Sequence, residues 1–129
     1  MTGSLPIDRI VGVYDADGGV VGEIRYVVGR LGGRHCALCE ITHGTLRPKP
    51  AWGAWATTIP VPVVLVHLNQ REPALRQATD GRVPCVVADV AGKYQILLDD
   101  EALRLCEGSV ATFSDRLDDA IALAGLQLP

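Results

Sequence analysis

Two apolar, β-rich runs with only three residues between them constrain this chain most. Val83-Pro-Cys-Val-Val-Ala-Asp-Val90 and Tyr94-Gln-Ile-Leu-Leu98 flank Ala91-Gly92-Lys93, and so short a connection joins neighbouring strands as an antiparallel hairpin. A third run, Val61-Pro-Val-Val-Leu-Val-His-Leu68, is apolar without alternation, which is the pattern of a strand buried on both faces of a parallel sheet. Residues 7–14, rich in β-branched side chains and closed by Asp15-Ala-Asp-Gly-Gly19, form a fourth strand. The 129 residues suit one domain, spanning 1–129.

Helical signals fill the intervals. Val20, Ile24, Val27, Val28 and Leu31 recur at spacings of three and four before Gly32-Gly33, which predicts an amphipathic helix. Asp17-Gly18 between two β-rich runs is also a hairpin signal, and that alternative makes 20–28 a strand. The run 34–44 suits two short helical turns closed by Gly44. Further helices are expected at 51–57 behind Pro50, with Trp52 and Trp55 packing together, at 72–79 behind Pro73, and at 101–106. A last helix, capped by Ser114, is expected to run to Ala124 with Leu117 and Ile121 inward.

Charge and motifs exclude several classes of function. Twelve Lys+Arg against fifteen Asp+Glu leave a net charge of −3, without the cationic field that nucleic-acid binding draws on. The apolar runs are too short to cross a bilayer, and the first residues lack a charged stretch followed by an apolar one. The expectation is a cytoplasmic protein with neither nucleic-acid nor membrane partners. There is no Gly-x-x-x-x-Gly-Lys-Ser/Thr phosphate loop and no Gly-x-Ser-x-Gly elbow.

Chemistry concentrates in His35-Cys36-x-x-Cys39-x-x-x-His43. On a helix, Cys36, Cys39 and His43 share one face. Thiolate and imidazole are zinc's preferred donors, so His35, Cys36, Cys39 and His43 form a candidate ligand set. Copper or iron accepts similar donors. Cys85, Cys106, His67 or a water are the alternatives to His35 as fourth ligand. The same pair supports redox chemistry, with Cys36 as nucleophile and Cys39 resolving the mixed disulfide. Two further readings stay open: thiols packed as small hydrophobes, and an interaction module presenting the segment to a protein partner. The expected strand ends also gather Asp15, Asp17, His67, Asn69 and Glu72; for these, turn formation, a satisfied imidazole ring and helix capping are the plainer roles.

In the order strand, helix, Cys/His segment, strand, helix, strand, strand, helix, the chain resembles the thioredoxin-like superfamily. The specific match is Gly81-Arg-Val-Pro-Cys85 before the third of these strands, where Pro84 looks like that family's cis-proline. The resemblance implies an α/β fold: a thioredoxin-like mixed sheet with helices on both faces, and here a Cys/His insert at about 34–58 after the first helix. It also implies a redox CxxC facing the cis-proline. The sequence differs there, because the corresponding loop, 15–19, holds no cysteine and the CxxC lies about one helix further on.

Overall fold

The computed structural model describes residues 4–15, 36–43 and 49–129. The segment 20–31, with its helix-or-strand alternatives, lies outside them, as do Asp17, His35 and Gly44.

Four strands build a mixed sheet: β2 (Arg9–Val13), β3 (Val63–Val66), β4 (Cys85–Val90) and β5 (Lys93–Leu98), in the order β3-β2-β4-β5. β2 and β3 run parallel, with Ile10 beside Val63 and Val13 beside Val66. β4 is antiparallel to both β2 and β5, setting Val13 opposite Cys85. A separate parallel pair, β1 (Leu5–Pro6) with β6 (Leu126–Gln127), ties the two ends of the described chain together. This pair was not expected from sequence, because two residues are too few to show a period.

The β4–β5 hairpin closes as expected, through Ala91 and Gly92, both at positive φ (54° and 84°). Two consecutive left-handed residues match the right-handed twist of the flanking strands. Side chains hold the turn as well: Asp8 accepts the Ala91 N–H at 2.8 Å and Asp89 the Gly92 N–H at 2.9 Å.

Five α-helices are present among the described residues: α1 (Ala37–Thr42), α2 (Pro50–Thr57), α3 (Pro73–Thr79), α4 (Asp100–Arg104) and α5 (Val110–Leu123). Alternation along β2 directs Ile10 and Tyr14 to one face and Val11 and Val13 to the other. The first face forms the larger core with Leu38 and Ile41 of α1, Trp52 of α2, Leu103 of α4 and Phe113, Leu117 and Ile121 of α5. On the second face Val11, Val13, Cys85 and Val87 pack against Leu75 of α3. Helices therefore cover both faces of the sheet. Trp52 and Trp55 meet at 4.9 Å between ring centroids and both pack on Phe113, as pure packing residues.

Two expectations are corrected. β3 is an edge strand, half-buried along its whole length rather than covered on both faces. The last helix begins five residues earlier than expected, because Ser109, not Ser114, caps it by accepting the Thr112 N–H. Within the expected insert, Leu38 and Ile41 of α1 are fully buried in the main core. The Val83–Pro84 peptide is cis.

Candidate dithiol site

Gly12 determines how closely α1 approaches the sheet. A Cβ there would lie 2.8 Å from Leu65 Cδ2 and 3.1 Å from Leu38 Cδ2, both inside ordinary contact. Its absence lets Leu38 seat directly on β2, and with it the turn that carries the cysteines.

That turn begins at Cys36, the N-cap of α1, in extended conformation. Its sulfur takes the place of the usual capping oxygen and accepts the Cys39 N–H at 3.4 Å. The Cys39 thiol and the backbone of Asp15, just past the end of β2, lie near enough to influence it. The CxxC, displaced by about one helix in the sequence, is thus brought back in space to the loop that follows β2.

Hydrogen bonding decides the electrostatics of Cys36. The Cys39 thiol, foremost, and then the Asp15 and Cys39 backbones hold the Cys36 thiol below its ordinary range, against burial and the nearby Asp15 carboxylate. Cys36 and Cys39 are only 3% and 7% exposed. Both carry thiols outside any disulfide, as do Cys85 and Cys106. Burial pushes Cys85 up to about 11, partly opposed by Arg71 and Arg82, and it also raises Cys106.

The far end of α1 is tied to the same strand end. Tyr14 Oη lies 2.8 Å from Thr42 Oγ1 and 3.2 Å from His43 Nδ1, and Thr42 Oγ1 lies 2.7 Å from His43 Nδ1. Thr42, fully buried, also reaches back to the Cys39 carbonyl at 3.5 Å. The helix stops because His43 is extended; its N–H still closes the last turn onto the Cys39 carbonyl at 2.8 Å. The Tyr14 ring sits between two imidazoles, with centroids 5.8 Å from His43 and 5.0 Å from His67.

Of the sequence-expected residues, Cys36 and Cys39 come together, while His43 joins the Tyr14–Thr42 cluster at the other end of α1. Among the described residues no group of three or more His, Cys, Asp or Glu side chains is arranged to hold a metal ion; His35 falls outside them. His67 Nδ1 pairs with Gln70 Oε1 at 3.0 Å, giving a satisfied ring. Glu72 stands at the start of α3 without a side-chain cap hydrogen bond. Sequence reasoning passed over Tyr14 and Thr42. Each is a polar residue in an otherwise apolar position, Tyr14 ending a β-branched run and Thr42 following Ile41, and that placement was the available signal.

No described helix is long and apolar enough to cross a membrane. Comparison with protein-family models, with curated proteins and with solved structures finds no match to this chain.

Proposed function

We propose that this chain is a thioredoxin-like thiol–disulfide oxidoreductase, with Cys36 as nucleophile and Cys39 as resolving thiol. One observation carries the reading: the Cys36 sulfur caps α1 by accepting the Cys39 N–H at 3.4 Å, one turn from the thiol that must attack it next, and the Cys36 thiol is held below its ordinary range. The strand order β3-β2-β4-β5, with helices on both faces, supports the fold half of the proposal.

In the forward step the Cys36 thiolate attacks one sulfur of a substrate disulfide. A mixed disulfide forms, and the other substrate sulfur leaves as a thiolate that takes a proton from water. Cys39, losing its proton, then attacks the Cys36 sulfur and expels the second substrate thiol. Two electrons have passed to the substrate, and the protein holds a Cys36–Cys39 disulfide. Two equivalents of a small thiol, or one dithiol, return it to the reduced form. Because both sulfurs are buried, local opening around Cys36 gates the exchange.

The test is insulin reduction with a small-thiol reductant, run on the wild type, Cys36→Ser and Cys39→Ser. Turnover in the wild type, lost in Cys36→Ser and stalled as a mixed disulfide in Cys39→Ser, is the expected result. No turnover, together with about one equivalent of zinc, copper or iron that is lost when both cysteines are replaced, overturns it in favour of the metal-ligand reading.

A further inference from the structure

β5 ends the mixed sheet on one side: the strand order is β3-β2-β4-β5, and among the described residues no strand lies beyond it. Ladder geometry tells which of its backbone groups are left over. Val90 and Lys93 flank the two-residue Ala91-Gly92 turn, so they form a hydrogen-bonded pair, and bonded and non-bonded pairs alternate along an antiparallel ladder. Ala88 with Gln95 is then a bonded pair, while Asp89 with Tyr94 and Val87 with Ile96 are not. The N–H and C=O groups of Tyr94 and Ile96 therefore point away from β4, at the spacing that a further strand pairs with.

A groove of about 690 Å³ runs along this edge, within the range that holds ligands. Tyr94 and Ile96 line it. On the face that carries α3 its lining includes Ala78 and Arg82, and towards the opposite face Lys93, Val90 and Leu126. Arg82 and Lys93 are both exposed, and among the described residues neither enters an ion pair. None of the described lining residues is acidic, although the whole chain carries a net charge of −3.

That local charge selects the occupant. Pairing two β5 edges about a two-fold axis gathers two copies of Lys93 and two of Arg82 in one contact, and an edge lysine is a common guard against such self-pairing. A strand carrying carboxylates meets attraction instead. We propose that the β5 edge docks an extended acidic segment of a protein partner, which pairs with the Tyr94 and Ile96 backbone and sets carboxylates against Arg82 and Lys93. Successive side chains of an added strand point to opposite faces of the sheet, so adjacent acidic residues serve the two cations. The site lies two strands from β2 and does not rest on the oxidoreductase reading.

The probe is the capped peptide Val-Asp-Glu-Val-Asp-Glu-Val, which as a strand presents both carboxylates and valines to each face. Amide hydrogen exchange is read residue by residue by NMR on the wild type, and affinity by fluorescence anisotropy of the labelled peptide. In the free protein the Tyr94 and Ile96 amides should exchange readily while those of Lys93 and Gln95 are protected. Saturating peptide should slow Tyr94 and Ile96 by at least about tenfold. Lys93→Glu and Arg82→Glu should each weaken binding by about three- to tenfold, and added salt should weaken it in the wild type. Arg116→Glu makes the same change in net charge at an exposed site on α5 and should leave the affinity unchanged.

Unchanged exchange of Tyr94 and Ile96 at millimolar peptide overturns the proposal. So does equal binding of the same peptide with lysine at every acidic position, or an equal loss in Arg116→Glu, because the local cations would then select nothing. Protection of the two amides in the free protein also overturns it, and loss of that protection on dilution would identify a second copy as the occupant. Lys93 and Arg82 are separate exposed positions, so either variant decides the charge argument if the other fails to fold.

Discussion

Gly12→Ala tests the claim that close approach of α1 to the sheet builds the site. Gly12 lies in β2 at a negative-φ position that alanine adopts freely, so the substitution isolates packing from backbone strain. The added Cβ falls 2.8 Å from Leu65 Cδ2 and 3.1 Å from Leu38 Cδ2, short by about 0.6 and 0.3 Å of ordinary contact, which begins near 3.4 Å. Leu65 is half-buried on an edge strand and can turn aside. Leu38 is fully buried between α1 and β2 and can yield only if the helix shifts. Overpacking of this kind costs about 1–3 kcal/mol, and the lower chain entropy of unfolded alanine returns about 0.4–1 kcal/mol. The expected loss is about 1–2 kcal/mol by urea denaturation, a Tm lower by about 3–10 °C for a chain of this size. Leu65→Val removes the atom nearest the new methyl, so Gly12→Ala/Leu65→Val should be more stable than the sum of the single changes, by at least about 0.5 kcal/mol. Wild-type stability in Gly12→Ala, or strict additivity in the double variant, would refute the argument that Gly12 is there to admit Leu38.

Other consequences are open to direct measurement. Cys85 keeps its proton up to about pH 11 in the folded protein but gives it up near 9 when unfolded; stability should therefore fall as pH rises from 9 to 11, by at most about 2.7 kcal/mol, and Cys85→Ala should remove that slope in alkaline urea titrations. Cys36 has the opposite sign: its lowered folded pKa contributes stability above the unfolded value that disappears as pH falls through the folded one, so Cys36→Ser should flatten stability against pH on that side. Ala91→Asn, placing a residue tolerant of left-handed backbone at the hairpin turn, should raise stability by about 0.5–1 kcal/mol, read by thermal denaturation. Asp99→Ala removes the side chain that accepts the Ala102 N–H at the start of α4 and should cost about 1 kcal/mol in the same assay.

The sheet was legible because its hydrophobic pattern is local. Residues 83–98 cannot avoid a hairpin, and the apolar run at 61–68 asks for a parallel neighbour, which β2 supplies. Boundaries were less legible where two residues competed for one role, as Ser109 and Ser114 did for the cap of α5. The site was half legible: spacing alone identified Cys36 and Cys39 as a pair, but it also suggested that the CxxC lay away from the end of β2. Sequence distance carries no information about how a segment folds back. Gly12 records that return, as a glycine inside a β-branched run whose missing side chain makes room for Leu38, and without a partner in view it read only as a small residue in a strand.

Four buried thiols of one residue type divide into two kinds, and the division explains where chemistry belongs. Cys85 and Cys106 are as secluded as Cys36. Burial acts on them with little opposition and keeps them protonated, Cys85 against only the distant pull of Arg71 and Arg82 and Cys106 against that of Arg116. Cys36 is desolvated too and is nonetheless lowered, the Cys39 thiol foremost and then the Asp15 and Cys39 backbones acting against burial. Seclusion therefore does not separate an inert thiol from a reactive one here; the neighbouring groups do. Those groups meet because α1 starts where β2 ends. The contacts that hold the helix there, Leu38 over Gly12 and Thr42 against Tyr14, stabilise the core and shape the sulfur's surroundings together, so a substitution at either should be felt in both.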